Sequence, residues 1–198
     1  EVGVQTYNPR VARDISRLQD YEQTERTLAF LKDETRATVH ADLIVGLPGE
    51  TINSFRDGFD RLFRNRPAEI QVGILKRLPG APIARHDRTH GMRYSASPPY
   101  EVIATAAMDA DTIERLKRFA KYWELVVNRG RMADSVRRLL HGVDSPFTRF
   151  LAYSDYSYGR FGRTWGLTPE QLKQSVADFV QTDGGATTRL PRCTKRSG

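Results

Sequence analysis

The sequence predicts an α/β protein in which a few parallel strands with helical crossovers precede a mainly helical C-terminal region. Over about the first eighty residues, short β-branched or apolar runs alternate with amphipathic stretches, as they do in β-α-β units. Proline and glycine concentrate in the next segment, and the second half has helical periodicity. A complete eight-stranded barrel typically needs about 250 residues, so three strands fit half a TIM-like barrel or the edge of an open sheet.

The first half contains six predicted elements, each with a local signal. Asn8 before Pro9 predicts a capped helix start. The apolar run at 39–45 is typical of a strand buried on both faces of a parallel sheet. In chain order we expect a strand over 1–6, a helix from Pro9, a helix over 21–34, a strand over 39–45, a helix from Ile52 to about residue 65 and a strand over 70–75.

The second half predicts helices joined to the first half by a loop-rich segment. Asp109 or Asp111 can cap a helix over 109–128, a second helix ends near His141, and Thr168 begins a third. The expected organisation is a half-barrel over 1–83, a Pro/Gly-rich linker over 84–108, a helical domain over 109–182 and a basic, disordered tail over 183–198.

Composition excludes several classes of protein. The 198 residues carry 31 Lys plus Arg and 24 Asp plus Glu, a formal net charge of +7, but about half of the excess lies in the tail. The longest apolar stretches are too short to cross a bilayer. Cys193 is the only cysteine, which excludes an internal disulfide framework and favours a reducing cytoplasm. We expect no membrane association.

The predicted site lies at the carboxyl ends of the strands, where α/β folds bind ligands. Gly46 and Gly49 flank a proline after the second strand and would let the backbone approach a ligand, although an ordinary strand-to-helix turn has the same composition. Asp42 lies inside the apolar strand. It suits either a ribose diol or a hydrogen-bonded place in the core.

Several motifs together resemble the second half of the catalytic barrel of radical S-adenosylmethionine enzymes. The resemblance is to the anaerobic coproporphyrinogen oxidase-like and cobalamin-binding branches, and it covers residues 1 to about 83. Residues from Tyr94 onward are similar to a C-terminal domain of unknown function attached to cobalamin-binding members. The matching motifs are Gly3-Val4-Gln5, Asn8, Arg17, Asp42-Leu43-Ile44-Val45-Gly46-Leu47-Pro48-Gly49-Glu50 and Leu78-Pro79-Gly80.

The resemblance implies a role for eight residues in binding S-adenosylmethionine. Gln5 and Asp42 would contact the sugar and methionine parts, and Arg17 would pair with the methionine carboxylate. Ile44 would pack on adenine, whose edge would bond the backbone around Leu75 and Lys76. Gly46 and Glu50 would complete the turn motif; alternatively, Glu50 favours the first turn of the next helix and Arg17 is a solvated helix residue.

The chain also departs from the family pattern. The family binds a 4Fe-4S cluster through three closely spaced cysteines, which this sequence lacks. We therefore expect a C-terminal part of a longer polypeptide, inactive without its N-terminal half, with cobalamin as a further cofactor of the intact enzyme. The substrate would be a small molecule or a tRNA. Another parallel α/β enzyme that shares only the turn motif is a rival interpretation.

Two other segments suggest sites. His86 and His90 have the spacing of a helical zinc motif, but the prolines around them favour a loop. Between the predicted helices, residues 146–165 contain seven aromatic and three arginine side chains, with Gly159 and Gly162 suggesting a turn. This segment either forms a stacking platform for nucleic acid, making the chain a tRNA-binding module, or fills the core of the helical domain.

Overall fold

A computed structural model describes residues 1–129 and 132–186 of the chain. Its first part is a three-stranded parallel sheet in the order β1-β2-β3, with one or two helices in each crossover. Sequential strand order with helical crossovers is the arrangement of an arc of a β/α barrel. The elements of this part are β1 Val2–Gln5, α1 Pro9–Asp14, α2 Tyr21–Glu34, β2 His40–Val45, α3 Ile52–Arg64 and β3 Glu69–Ile74.

The second part is mainly helical, as the sequence predicts. A short 3₁₀ helix and a two-stranded antiparallel ribbon come first, and then four α-helices, the first of which continues into a π-helical turn. The elements are the 3₁₀ helix Pro82–His86, β4 Arg93–Tyr94, β5 Val102–Ala104, α4 Ala110–Trp123, the π-helical turn Glu124–Asn128, α5 Ala133–Leu140, α6 Pro146–Phe161 and α7 Pro169–Ala186. The predicted fold class is confirmed.

Local capping signals fix where most helices begin. The Asn8 side chain accepts hydrogen bonds from the backbone N–H groups of Arg10 and Val11 at the start of α1. Asp109 accepts from the N–H of Thr112 and caps α4, as predicted. Each cap satisfies backbone donors that a helix leaves free in its first turn.

An aromatic cluster joins the helical part to α3. The rings of Phe59 and Trp123 meet edge to face with centroids 4.8 Å apart, and Trp123 and Phe150 do the same at 4.9 Å. Phe119 and Phe147 pack on the same rings and are also buried. Since α3, α4 and α6 each contribute rings, the two parts of the chain share one hydrophobic core.

A buried carboxylate reinforces this junction. Asp60 of α3 accepts a hydrogen bond from the backbone N–H of Phe147 at 2.8 Å and another from the hydroxyl of Ser145 at 2.5 Å. Ser145 is itself the N-cap of α6. The first turn of α6 is therefore fastened to α3 by polar contacts as well as by ring packing.

Two expectations about single elements are wrong. β2 is buried on one face only: Ala41, Leu43 and Val45 are buried, whereas His40, Asp42 and Ile44 alternate with them and are half-buried. The polar side chains of His40 and Asp42 lie on the same face of the strand as Ile44, which keeps that face partly open to solvent. Residues 146–161 form α6, and Gly159, which suggested a turn, lies inside that helix; Gly162 does end it, with a φ of 65°.

The predicted domain boundaries stay a prediction, although some elements cross them. The segment 84–108 holds β4, β5 and part of the 3₁₀ helix, and α7 continues past residue 182 to Ala186. The rest of the predicted tail, including Cys193, lies outside the described residues. None of the helices described combines the length and apolar character that crossing a bilayer requires.

Candidate cofactor-binding site

The half-buried face of the sheet lines an open cavity of about 680 Å³. Strand pairing places Asp42 beside Gln71 and Ile44 beside Gly73, so these residues share that face. The volume lies in the range of roughly 300–1,000 Å³ that is usual for small-molecule sites. Side chains on its walls include Gln5, Asp42, Ile44, Gln71, Lys76, Glu101, Lys117, Lys121, Glu124 and Asn128. Four of the eight predicted residues thus meet at one cavity.

Asp42 carries an unsatisfied polar atom in this cavity wall. Its Oδ1 is inaccessible to solvent and has no hydrogen-bond partner among the residues that the structure describes. Burial raises the pKa of the Asp42 carboxyl, and the neighbouring carboxyl of Glu1 raises it further. A buried oxygen without a donor is costly. Because Oδ1 is closed to solvent, a ligand donor could reach it only if neighbouring side chains moved aside.

Gln5 and Arg17 converge over Gly3. The Arg17 guanidinium donates a hydrogen bond to the Gly3 carbonyl at 2.9 Å. A Cβ at Gly3 would come within 2.9 Å of both Arg17 Nη2 and Gln5 Nε2. The absence of a side chain at Gly3 leaves room for these two flexible side-chain ends, which would have to shift if a Cβ were added; the sequence analysis missed this contribution although Gly3 stands in the GVQ motif. Gln5 also has a φ of 67°, an uncommon conformation that is typical of functional sites.

Glu50 is buried behind the strand ends, away from the cavity wall. One of its oxygens accepts hydrogen bonds from the hydroxyls of Thr6 at 2.7 Å and Ser54 at 3.0 Å. Burial raises the pKa of Glu50 to about 7, and these two hydrogen bonds lower it in part. Asn8 donates to the same Ser54 hydroxyl. The network ties the end of β1 to the loop after β2, so Glu50 positions the strand ends.

Gly46 and Leu75 serve contacts within the chain. Gly46 has a φ of 83°, and a Cβ there would lie 2.5 Å from Cγ1 of Val102. The N–H of Leu75 donates to the Val45 carbonyl, and its carbonyl accepts from the N–H of Val102. The backbone of Leu75 is therefore already paired. Lys76 lies opposite Glu101 in an antiparallel β-bridge. The hydrogen bonds of this bridge are made by the residues on either side of Lys76, so the Lys76 backbone itself takes no part in them.

A second wall of the cavity comes from α4 and the π-helical turn, and the sequence analysis missed it. Its residues Lys117, Lys121, Glu124 and Asn128 follow spacings of four, three and four, a single helical face. Lys117 pairs with Glu101 at 3.0 Å. Asn128 donates its side-chain amide to the carbonyl of Ile70 at the start of β3. The row of polar residues along this helix is visible in the sequence, but such a row usually faces solvent and so did not indicate a cavity wall.

The two histidines lie beside the strand-end loops. The rings of His86 and His90 are 5.5 Å apart, and the His90 ring is the nearest neighbour that a Cβ at Gly49 would meet, at 3.2 Å. Nε2 of His90 lies 3.7 Å from the Asp14 carboxylate. No group of three His, Cys, Asp or Glu side chains able to hold a metal occurs among the described residues.

The aromatic segment 146–165 is mainly part of the core. Phe147, Phe150 and Tyr153 are buried, which makes these rings inaccessible to nucleic-acid bases. Two rings remain exposed, Tyr158 at 37% and Trp165 at 71%. The interpretation that the segment fills the core is confirmed for the three buried rings.

The C-terminal part of the chain matches a known protein family. Residues 88–190, just over half of the chain, match the family described as Protein of unknown function (DUF4080). The chain belongs to the DUF4080 family. This family span begins before β4 and includes α4, so the second wall of the cavity lies within it.

The DUF4080 chain is also similar to parts of larger enzymes. An oxygen-independent coproporphyrinogen III oxidase from Bradyrhizobium diazoefficiens is 37% identical over 71 residues, which cover 36% of this chain and 16% of that protein. A probable threonylcarbamoyladenosine tRNA methylthiotransferase from Pyrococcus horikoshii is 28% identical over 89 residues, 44% and 21% of the two proteins. The predicted resemblance to the coproporphyrinogen oxidase-like branch of radical S-adenosylmethionine enzymes is confirmed.

Among solved structures, the coproporphyrinogen III oxidase of Escherichia coli, described as a radical SAM enzyme, matches with a TM-score of 0.45 and 21% identity. The match covers 70% of this chain and 32% of that one. The alignments thus span at most about a fifth of the two curated relatives and a third of this solved chain.

Proposed function

We propose that this chain is part of a radical S-adenosylmethionine enzyme and supplies strand-end residues that bind the cofactor. The observation that carries the proposal is the cavity where Gln5, Asp42, Ile44 and Lys76 meet; the buried Asp42 Oδ1 also has no donor among residues 1–129 and 132–186. A hydroxyl-rich ligand with an apolar ring system fits such a lining, because it offers donors to Asp42 and a flat surface to Ile44.

Each of these residues would have a distinct role. Asp42 would accept a hydrogen bond from the ribose, Ile44 would pack on adenine, and Gln5 would offer its amide to the methionine part. Arg17 would exchange its hydrogen bond with the Gly3 carbonyl for the methionine carboxylate, and Glu50 would hold the loops in place. When bound beside a reduced cluster, S-adenosylmethionine supplies a 5′-deoxyadenosyl radical, and the protein's share is to position it and exclude water.

The iron-sulfur cluster does not fit the residues of this chain. A 4Fe-4S cluster of this kind needs three closely spaced cysteine thiolates, and the sequence contains Cys193 alone. The cluster would therefore be bound by an N-terminal half of the same polypeptide, without which this chain would be inactive. Cobalamin as a second cofactor, a small-molecule or tRNA substrate and a cytoplasmic location remain predictions from the resemblance.

Cofactor affinity tests the proposal directly. In the full gene product that contains this chain, Asp42→Asn should weaken S-adenosylmethionine binding roughly tenfold or more, as expected for loss of a charged hydrogen bond. Isothermal titration calorimetry under anaerobic conditions measures this, and Asp33→Asn on the exposed face of α2 is the matched control. If Asp42→Asn and Gln5→Ala both leave the affinity unchanged, the chain belongs to a different α/β enzyme that shares only the turn motif.

Nucleic-acid binding is a second candidate because two exposed aromatic residues lie under arginines. The Arg118 guanidinium lies 4.5 Å from the ring centre of Tyr158, and that of Arg163 lies 5.4 Å from Trp165. Exposed rings with nearby cations can stack on unpaired bases. Salt-dependent RNA binding that Trp165→Ala weakens would support this function, whereas no binding at low salt would remove it.

A further inference from the structure

A second cavity of about 480 Å³ opens at the amino end of β3. It lies between the end of α3, the start of β3, the π-helical turn and α5. Its lining residues include Ile70, Trp123, Asn128, Arg137, Leu140 and His141. Apart from Asn128, none of these contributes to the first cavity.

The walls of this second cavity are mainly apolar. Ile70, Trp123 and Leu140 are buried members of the hydrophobic core, while Phe63 and Val136 are partly buried and pack against it. The volume again suits a small organic molecule. An apolar chain or ring placed here would contact the core directly and would remove these surfaces from water.

Every ionisable side chain on the lining is basic. Arg66, Arg137 and His141 are exposed at the rim. Within residues 1–129 and 132–186, none of the three makes a side-chain hydrogen bond or an ion pair, and no carboxylate lines the cavity. The first cavity differs, because its lysines share their walls with Asp42, Glu101 and Glu124. The free cations therefore favour a ligand with a negative charge at one end.

Two backbone irregularities adjoin this cavity. The π-helical turn Glu124–Asn128 supplies Val127 and Asn128 to its wall, and π-helical turns occur frequently at functional sites. Arg66 has a φ of 49° and directly follows Asn65, the C-cap of α3, where a left-handed residue commonly ends a helix.

We propose that this second cavity binds an amphipathic organic anion, whose apolar body lies on Trp123 and Leu140 and whose carboxylate meets Arg137 and Arg66. The site is distinct from the cofactor cavity, with which it shares only Asn128. Octanoate is a suitable probe, and octan-1-ol is the equally long neutral analogue.

Calorimetric titration of the full gene product with octanoate tests the proposal. We expect saturable one-to-one binding, with octan-1-ol several-fold weaker. Arg137→Gln should weaken octanoate binding roughly threefold to tenfold. Arg138→Gln removes the same charge from the next position of α5, which does not line the cavity, and should have no such effect.

A filling substitution locates the ligand without removing core side chains. Ala68 is exposed on the cavity lining, so Ala68→Phe should abolish octanoate binding while thermal unfolding shows the protein still folded. Absence of saturable octanoate binding to the unsubstituted protein, including the case in which another segment covers the cavity, overturns the proposal. Equal affinities for octanoate and octan-1-ol, or binding that survives Ala68→Phe, overturn it as well.

Discussion

Replacement of Gly46 by alanine tests how the loop after β2 is held against β5. Gly46 has a φ of 83°, and an added Cβ would lie 2.5 Å from Cγ1 of Val102 and 3.4 Å from Cδ1 of Ile113. Val102 is fully buried. Real Cβ atoms do not approach carbon so closely, so either the loop or β5 must shift.

Two costs add in this variant. The left-handed conformation disfavours alanine by about 1–2 kcal/mol, and overpacking in a filled core costs about 1–3 kcal/mol. Gly46→Ala should therefore lower the free energy of unfolding by about 2–5 kcal/mol. Gly162→Ala supplies the matched control, because Gly162 has a similar φ of 65° and nothing lies within 4 Å of its added Cβ. That control should cost only about 1–2 kcal/mol.

Urea denaturation followed by circular dichroism measures both variants, and a double mutant identifies the contact. Val102→Ala removes the methyl group that would clash. In the Gly46→Ala background it should cost about 1–3 kcal/mol less than it does alone, since it also relieves overpacking. Equal destabilisation by Gly46→Ala and Gly162→Ala, together with additive effects in the double mutant, would refute the reasoning that Val102 constrains this loop.

Three further predictions concern buried groups. Burial raises the pKa of Glu50 from 4.5 to about 7, so the native state holds this proton more tightly than the unfolded state does. The contribution of Glu50 to the free energy of unfolding is therefore fully present below about pH 4.5. It falls by about 3 kcal/mol as the pH rises through 7. Unfolding titrations across this range should show that fall reduced in Glu50→Gln, and identical pH profiles would contradict it. Asp60→Ala leaves the buried N–H of Phe147 without an acceptor, while the Ser145 hydroxyl keeps its contacts with Thr148. The variant should cost about 1–3 kcal/mol in urea unfolding, whereas a loss under about 0.5 kcal/mol, the usual scale of surface changes, would show that this junction relies on ring packing alone. Phe59→Ala should lower the free energy of unfolding by about 3–5 kcal/mol, whereas Phe30→Ala, at an exposed position, should lower it by less than about 0.5 kcal/mol. Similar thermal unfolding of the two variants would exclude the shared aromatic core.

Elements with local signals were predictable from the sequence. Asn8 and Asp109 cap their helices because capping involves residues only two or three positions away. Residues 146–161 also carry local signals, with Ser145 before Pro146, yet Gly159 favoured a turn. Packing of Phe147, Phe150 and Tyr153 in the core outweighs the small helical penalty of one glycine.

Only the wall of the cavity that the strands form was predictable from the sequence, because the recognisable motifs lie there. Asp42 and Ile44 share a face because side chains alternate along a strand, which the sequence displays directly. The wall formed by Lys117 and Lys121 was missed because a polar helical face normally meets solvent, and only tertiary packing turns it toward the sheet. The steric role of Gly46 was equally hidden, since Val102 lies far along the chain.

The aromatic cluster between α3, α4 and α6 limits how this chain can be recombined. A chimera that joined residues 1–83 to an unrelated C-terminal domain would leave Phe59 without the rings of Phe119, Trp123 and Phe147. The exposed rings would promote aggregation. A C-terminal domain recombined at this boundary would therefore need apolar side chains that fill the same space against Phe59.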